Sequence, residues 1–357
     1  MWNIADEQLG SGEKRFTSLI VRARHDRVEV PLFLAAGAKT GPTLFLIGGE
    51  HGTELTSSET IRRFFETLDC NALSGNVVAV PVANPLAVRS KQHSYPYDRA
   101  VWFSPLDNMN RSWPGSVDGT VTQAITHTLF ELVMKHSDGV VSMHSTNYRP
   151  YLGYTPGDET SKRLCLDYGR ISLIYSVEHE GSSVNVAARQ LKIPSLLVEW
   201  PALRLVNHSA IREGIVGINN ILVSMGMQEG TIRRISDQYL VDYSQKKSEV
   251  HAQEDGILVR HVSWGAPVKR GQVVAKLYDL YRYREAQQVV APFDAIVNNT
   301  GPTPPNLSTF YHHTDAVRRG EMIAQFLRYD EHVSNAGGDP WLNMLLGGPG
   351  TEERVFQ

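Results

Sequence analysis

The sequence predicts an α/β fold, in which a mostly parallel or mixed sheet carries helices on both faces and a small all-β domain follows. Three observations carry this. From 43 to 226, short apolar runs of strand length alternate with longer stretches whose apolar residues recur at helical spacing; that is the pattern of parallel strands buried under helices. After Gly230 the texture changes to short β segments broken by Gly and Pro, as in Asp255–Val259, Gly265–Tyr278, Ala291–Val297 and Arg318–Phe326. The length of 357 residues suits one large domain and a smaller one. The expected division is an N-terminal β segment over 1–40, a catalytic domain over 41–230, a barrel- or sandwich-like β domain over 231–335 and a loosely ordered tail over 336–357.

Taken in order, Thr17–Val21 and Val28–Leu34 are β-rich, and Gly37 and Gly41-Pro42 punctuate them. Thr43–Ile47 is the first buried strand. Thr56–Leu68 places Ile61, Phe64, Phe65 and Leu68 on one helical face. Asn76–Val82 is the next strand, ending at Asn84-Pro85. Residues 86–119 form a long loop rich in polar and aromatic residues, and a loop of that length inside a domain is commonly functional. Thr120–His136 predicts a helix, Gly139–Met143 a third strand ending on His144, and Asp158–Tyr168 and Ser182–Leu191 two further helices. Ile193–Val198 predicts a fourth strand, ending on Glu199, and Ser209–Met225 a helix stopped by Gly226.

Composition excludes several classes. Lys+Arg of 35 against Asp+Glu of 38 leaves a net charge of −3, with no basic excess for nucleic acid. Two cysteines, Cys70 and Cys165, rule out a disulfide framework and suit a reducing compartment. No apolar run approaches the ~18 residues of a membrane span, and the first residues show no signal peptide. The expectation is a soluble cytoplasmic protein acting on a small molecule, with a homo-oligomer left open.

The chemistry gathers at strand ends. The first buried strand runs into Gly48-Gly49-Glu50-His51-Gly52-Thr53-Glu54. His51 and Glu54 sit three apart at the carboxyl end of a strand, where open α/β sheets bind ligands. A second His-x-x-Glu, His251 to Glu254, lacks both the Gly-Gly turn and the leading strand and reads as a coincidence of spacing. His144 and Glu199 end two other strands. Two imidazoles and a carboxylate, His51, Glu54 and His144, make a zinc set with a fourth position for water; Glu199 then serves to move the water's proton. Glu50 competes with Glu54 as ligand but should point the other way, being next to His51.

The order of these motifs, with Asn84-Pro85, Asn108-Met109-Asn110-Arg111 and Ile193-Pro194-Ser195-Leu196-Leu197-Val198-Glu199, resembles the succinylglutamate desuccinylase/aspartoacylase family of zinc carboxypeptidase-like hydrolases. The resemblance implies one zinc per chain on His51, Glu54 and His144, with Glu199 as general base and acid. It implies that Asn110 and Arg111 grip a substrate carboxylate, which Arg can do bidentately. It implies an amidohydrolase that removes the acyl group of an N-acyl amino acid or similar amine. A metallocarboxypeptidase and a binding protein with a retained metal site are the rival expectations. Two departures stand out. Trp102 occupies the place of the family's oxyanion arginine, for which Arg99, then Arg89, is the expected substitute. Trp200-Pro201 follows the base where the family favours glycine. Trp102 and Trp113 beside Arg111 suggest an apolar portion of the substrate.

Overall fold

The computed structural model describes residues 1–23, 26–95, 108–146, 151–177, 182–202, 205–300 and 315–339. It divides into two compact units, one of Met1–Thr146, Gly153–Ile171 and Val177–Arg234, the other of Asn147–Leu152, Ser172–Ser176 and Ile235–Gln357.

The first unit is built on a mixed sheet of β1 (Lys14–Ala23), β2 (Asp26–Ala36), β3 (Lys39–Gly48), β4 (Ser74–Val80), β5 (Gly139–Thr146), β6 (Leu152–Thr155) and β7 (Ser195–Pro201), in the order β6-β7-β5-β3-β4-β2-β1. The central neighbours β7-β5, β5-β3 and β3-β4 are parallel, while β4-β2 and β2-β1 are antiparallel. All eight residues of β5 are buried, as a strand covered on both faces requires. Its apolar residues divide between the two faces. Phe45, Ile47, Val78, Val80 and Val140 join one core cluster with Trp113 and with α3 (Val121–Leu132) and α5 (Val184–Gln190). On the other side α1 (Thr56–Thr67), α4 (Glu159–Tyr168) and α6 (His208–Ser224) pack together.

Local chemistry starts and stops these helices. Thr120 and Gln123 form a reciprocal capping box at α3. Asn84 caps α2 (Pro85–Ser90), with Pro85 in the first turn, where its missing N–H is no loss. Asp158 caps α4, and Gly169 ends it at φ +74. Where the sequence predicts one helix over 120–136, the structure ends α3 at Leu132 and adds a 3₁₀ turn at Met134–His136. The long loop expected over 86–119 is more structured than predicted, holding most of α2 and a 3₁₀ turn at Met109–Arg111. The strands β6 and Leu173–Ser176 were not foreseen; at four residues each they are too short for periodicity to register.

The second unit contains two four-stranded sheets that share one apolar core, including Leu258, Val274, Leu277, Val289, Ile323 and Phe326. Within it, Asp237–Asp242 pairs parallel with Leu173–Ser176 and antiparallel with Glu331–Ser334. Among the described residues no helix is long and apolar enough to cross a membrane.

Candidate active site

β3 delivers the first half of the site. Its fully buried run Leu44–Ile47 ends at Gly48, and Gly49 then takes φ +64, which glycine adopts at little cost. Hydrogen bonds pin the turn. The Ala83 and Asn84 N–H groups donate to the Gly48 and Gly49 carbonyls. Ser57 Oγ accepts from the Gly49 N–H at 3.1 Å and donates to the Glu54 carbonyl at 2.9 Å. Gly52 is wedged against the end of α2, where a Cβ would lie 2.2 Å from the Ala87 carbonyl carbon. Its N–H donates to the His93 carbonyl at 3.2 Å.

The neighbouring strand β5 brings His144 to the same place. His51 Nδ1 lies 3.0 Å from Glu54 Oε1 and 3.1 Å from His144 Nδ1, and His144 Nδ1 lies 3.2 Å from Glu54 Oε2. All three residues are buried. Glu54 Oε2 also accepts a 3.0 Å hydrogen bond from the Ser145 N–H.

The outer contacts decide which ring nitrogen of each histidine carries hydrogen. His51 Nε2 donates to Asn108 Oδ1 at 3.0 Å; that atom must be the amide oxygen, because it also accepts the Asn110 N–H at 3.0 Å. His144 Nε2 donates to Glu50 Oε2 at 2.9 Å. With hydrogen on Nε2, a ring without a second proton turns a bare Nδ1 lone pair inward. Two ring lone pairs and a carboxylate facing one another at 3.0–3.2 Å repel unless positive charge sits among them. A proton is one such charge. Burial disfavours an imidazolium, yet Glu50 and Glu54 hold the His144 pKa well above its ordinary value. Burial likewise opposes ionising Glu54, but His51 and His144 hold its pKa well below the usual carboxylate range. A metal ion is the other answer. Zinc donors about 2.0–2.2 Å from the ion in a tetrahedron lie about 3.3–3.6 Å apart, so these groups stand a few tenths of an ångström inside the spacing that an ion would set.

Two of the contacting residues were not assigned these places from sequence. The sequence expects Glu50 to point away from Glu54, and its position behind His144 is what the structure adds. His93 had no signal in the sequence. Its ring stacks on His51 with centroids 3.7 Å apart and planes 22° from parallel. Its Nε2 is 3.7 Å from Glu54 Oε1, and the ligating atoms of His51, Glu54 and His93 lie within 4.8 Å of one another. Burial, reinforced by His51, pushes the His93 pKa down to about 3.

Glu199 is registered directly against His144 on the parallel neighbour β7, so the two share a face of the sheet. Both strands run two residues past these positions rather than ending on them. Asn110 is buried, and Arg111 is exposed with Nη1 donating to the Asn110 carbonyl at 2.7 Å. Arg111 is also near enough to His93 to add to the fall in its pKa. Arg99 and Trp102 lie outside the described residues, and Arg89 is exposed on α2. Trp113 corrects an expectation: it is sealed in the core with its Nε1 donating to Glu50 at 2.9 Å, so its ring is spent on packing and is not offered to a substrate. His251 and Glu254, the second His-x-x-Glu, are both exposed.

The pattern of the succinylglutamate desuccinylase/aspartoacylase catalytic domain matches residues 40–225, more than half of the chain. The chain belongs to the succinylglutamate desuccinylase/aspartoacylase family. Among relatives, an N-alpha-acetyl-L-2,4-diaminobutyric acid deacetylase of Halomonas elongata is 28% identical over 255 residues, covering 68% of this chain and 72% of that protein. A succinylglutamate desuccinylase/aspartoacylase structure from Rhodobacter sphaeroides superposes with a TM-score of 0.66 at 21% identity, covering 90% of this chain and 97% of that one. The product-bound ectoine utilization protein EutE of Ruegeria pomeroyi gives a TM-score of 0.64 at 20% identity, covering 89% and 96%. At those identities the two structures speak to the fold. This member of the desuccinylase/aspartoacylase family is a hydrolase of amide bonds.

Proposed function

We propose that the chain is a zinc-dependent deacylase that hydrolyses the amide of an N-acyl amino acid or a similar small N-acyl amine. The observation that carries this is the buried cluster of His51 Nδ1, His144 Nδ1 and the Glu54 carboxylate, whose Oε1 meets His51 and whose Oε2 meets His144, with contacts of 3.0–3.2 Å. Family membership and the similarity to a deacetylase of an N-acetylated amino acid support the substrate class.

His51, Glu54 and His144 would hold one zinc per chain. His93 is a weaker candidate ligand, because its ring and that of His51 are nearly parallel and 3.7 Å apart. Lone pairs lie in the ring planes, so two stacked rings cannot both aim at one ion about 2.0 Å from each. Zinc bound there supplies a Lewis acid and an acidified water. Glu199 takes the proton of the attacking water and returns it to the leaving amine nitrogen. Asn110 and Arg111 bind the carboxylate of the amino acid. Arg99 stabilises the oxyanion that develops on the acyl carbonyl.

The test is a panel of N-acyl amino acids offered to the zinc-loaded protein and to Glu199→Gln. The amide keeps the shape of Glu199 but cannot take a proton, so zinc content should stay near one per chain while turnover falls about 10²- to 10⁴-fold. Turnover within a few-fold of wild type would remove Glu199 from the reaction. A wild-type chain that cleaves none of the panel would remove the substrate class.

A further inference from the structure

We propose that Glu50 is a positioning residue that fixes His144 as an Nδ1 donor and, through its charge, strengthens metal binding at the centre. This inference rests on the metal reading given above. Glu50 is 1% exposed and does not face the cluster. Its carboxylate collects three donors instead. Oε2 accepts from His144 Nε2 at 2.9 Å and from Ser142 Oγ at 2.7 Å, and Oε1 accepts from Trp113 Nε1 at 2.9 Å. Ser142 and His144 stand two apart on β5 and so share a face, and Trp113 is locked in the core. The carboxylate is held at Oε2 by two side chains of β5 and at Oε1 by the buried Trp113.

Orienting an imidazole does not require a charge; a backbone carbonyl or a water can accept its N–H. Burying a carboxylate carries a desolvation penalty that its contacts must offset. The charge therefore has a use beyond orientation. An anion on Nε2–H makes the opposite nitrogen a stronger donor, and such outer partners typically change metal affinity by about 10–100-fold. Glu50 and Glu54 together also supply two negative charges around a site suited to a dication, with only Glu54 in the cluster.

The contacts dictate the experiment. In Glu50→Gln the amide has one oxygen and one NH₂ for the three donors around it. Whichever way it turns, the NH₂ meets either the Trp113 N–H or the His144 and Ser142 donors. The single variant thus mixes lost charge with a donor clash. Trp113→Phe removes the N–H on that side, so Glu50→Gln/Trp113→Phe can point its oxygen at His144 without conflict. Zinc dissociation constants would be measured by chelator competition, with circular dichroism and thermal unfolding of the metal-free proteins as the check on folding. Trp113→Phe, which keeps the charge, should bind zinc within a few-fold of wild type. Glu50→Gln/Trp113→Phe should unfold near the temperature of Trp113→Phe yet bind zinc about 10–100-fold more weakly. Equal zinc affinity in these two variants would overturn the proposal and leave Glu50 as a packing residue. A wild-type chain that binds no zinc would overturn the metal reading itself, which is a separate outcome.

Discussion

His93 and His144 both reach the centre, and their contacts imply opposite consequences on removal. His144 belongs to the cluster and is held from behind by Glu50. His93 lies flat on His51. His144→Ala should therefore lose zinc, while His93→Ala should keep about one ion per chain after dialysis. Metal analysis of the two purified variants decides; zinc lost from His93→Ala and retained by His144→Ala would exchange their roles. Arg111 poses a different question. A substrate carboxylate keeps its charge throughout amide hydrolysis, so its contact stabilises ground and transition states alike. Arg111→Ala should raise KM and leave kcat within a few-fold. A fall in kcat at unchanged KM would move Arg111 from binding to the chemistry.

At the scale of elements, the site depends on close approaches that side chains would prevent. Gly52 lets the His51 loop press on α2, and Gly217 does the same for the helix layer on the far face of the sheet. A Cβ at Gly217 would lie 2.1 Å from Cζ of Tyr168, whose ring is completely buried between α4 and α6. Gly217→Ala must displace that ring or separate the helices, and overpacking of this kind typically costs about 1–3 kcal/mol. Denaturant unfolding of the metal-free protein measures it; a variant as stable as wild type would mean that α6 shifts freely. The strand β5 shows the opposite economy. Ser142 and His144 use one face of a single strand to hold Glu50 and the cluster of His51, Glu54 and His144 together. Replacing either side chain therefore disturbs both.

For the whole molecule, the comparison of two His-x-x-Glu strings separates motif from context. His51 and Glu54 are buried at the end of a central parallel strand, and His144 from β5 meets them there. His251 lies exposed on a short strand of the second unit, where its Nδ1 is 3.1 Å from the Gly320 carbonyl and Glu249 is its ion-pair neighbour. His251→Ala should change neither zinc content nor turnover. Zinc lost from that variant would place the ion in the wrong unit in our reading. The all-β character of the second unit followed from its short segments and Gly/Pro turns, because each strand there packs one face on a small core.

The sequence by itself determined the alternation of strands and helices, the change of texture after Gly230, and His51, Glu54, His144 and Glu199 as the residues to watch. Those signals are local: an apolar run of strand length, a Gly-Gly turn after it, a polar residue where the run stops. They are written in neighbouring positions because burial and backbone conformation are decided there. Only the tertiary structure decided that Glu50 backs His144, that Asn108 sets the His51 tautomer, that His93 covers His51 and that Trp113 belongs to the core. Each of these links residues 42 to 94 positions apart or turns on which face a side chain takes after a turn. No periodicity encodes that, because such contacts exist only once separate strands and loops have been packed against one another.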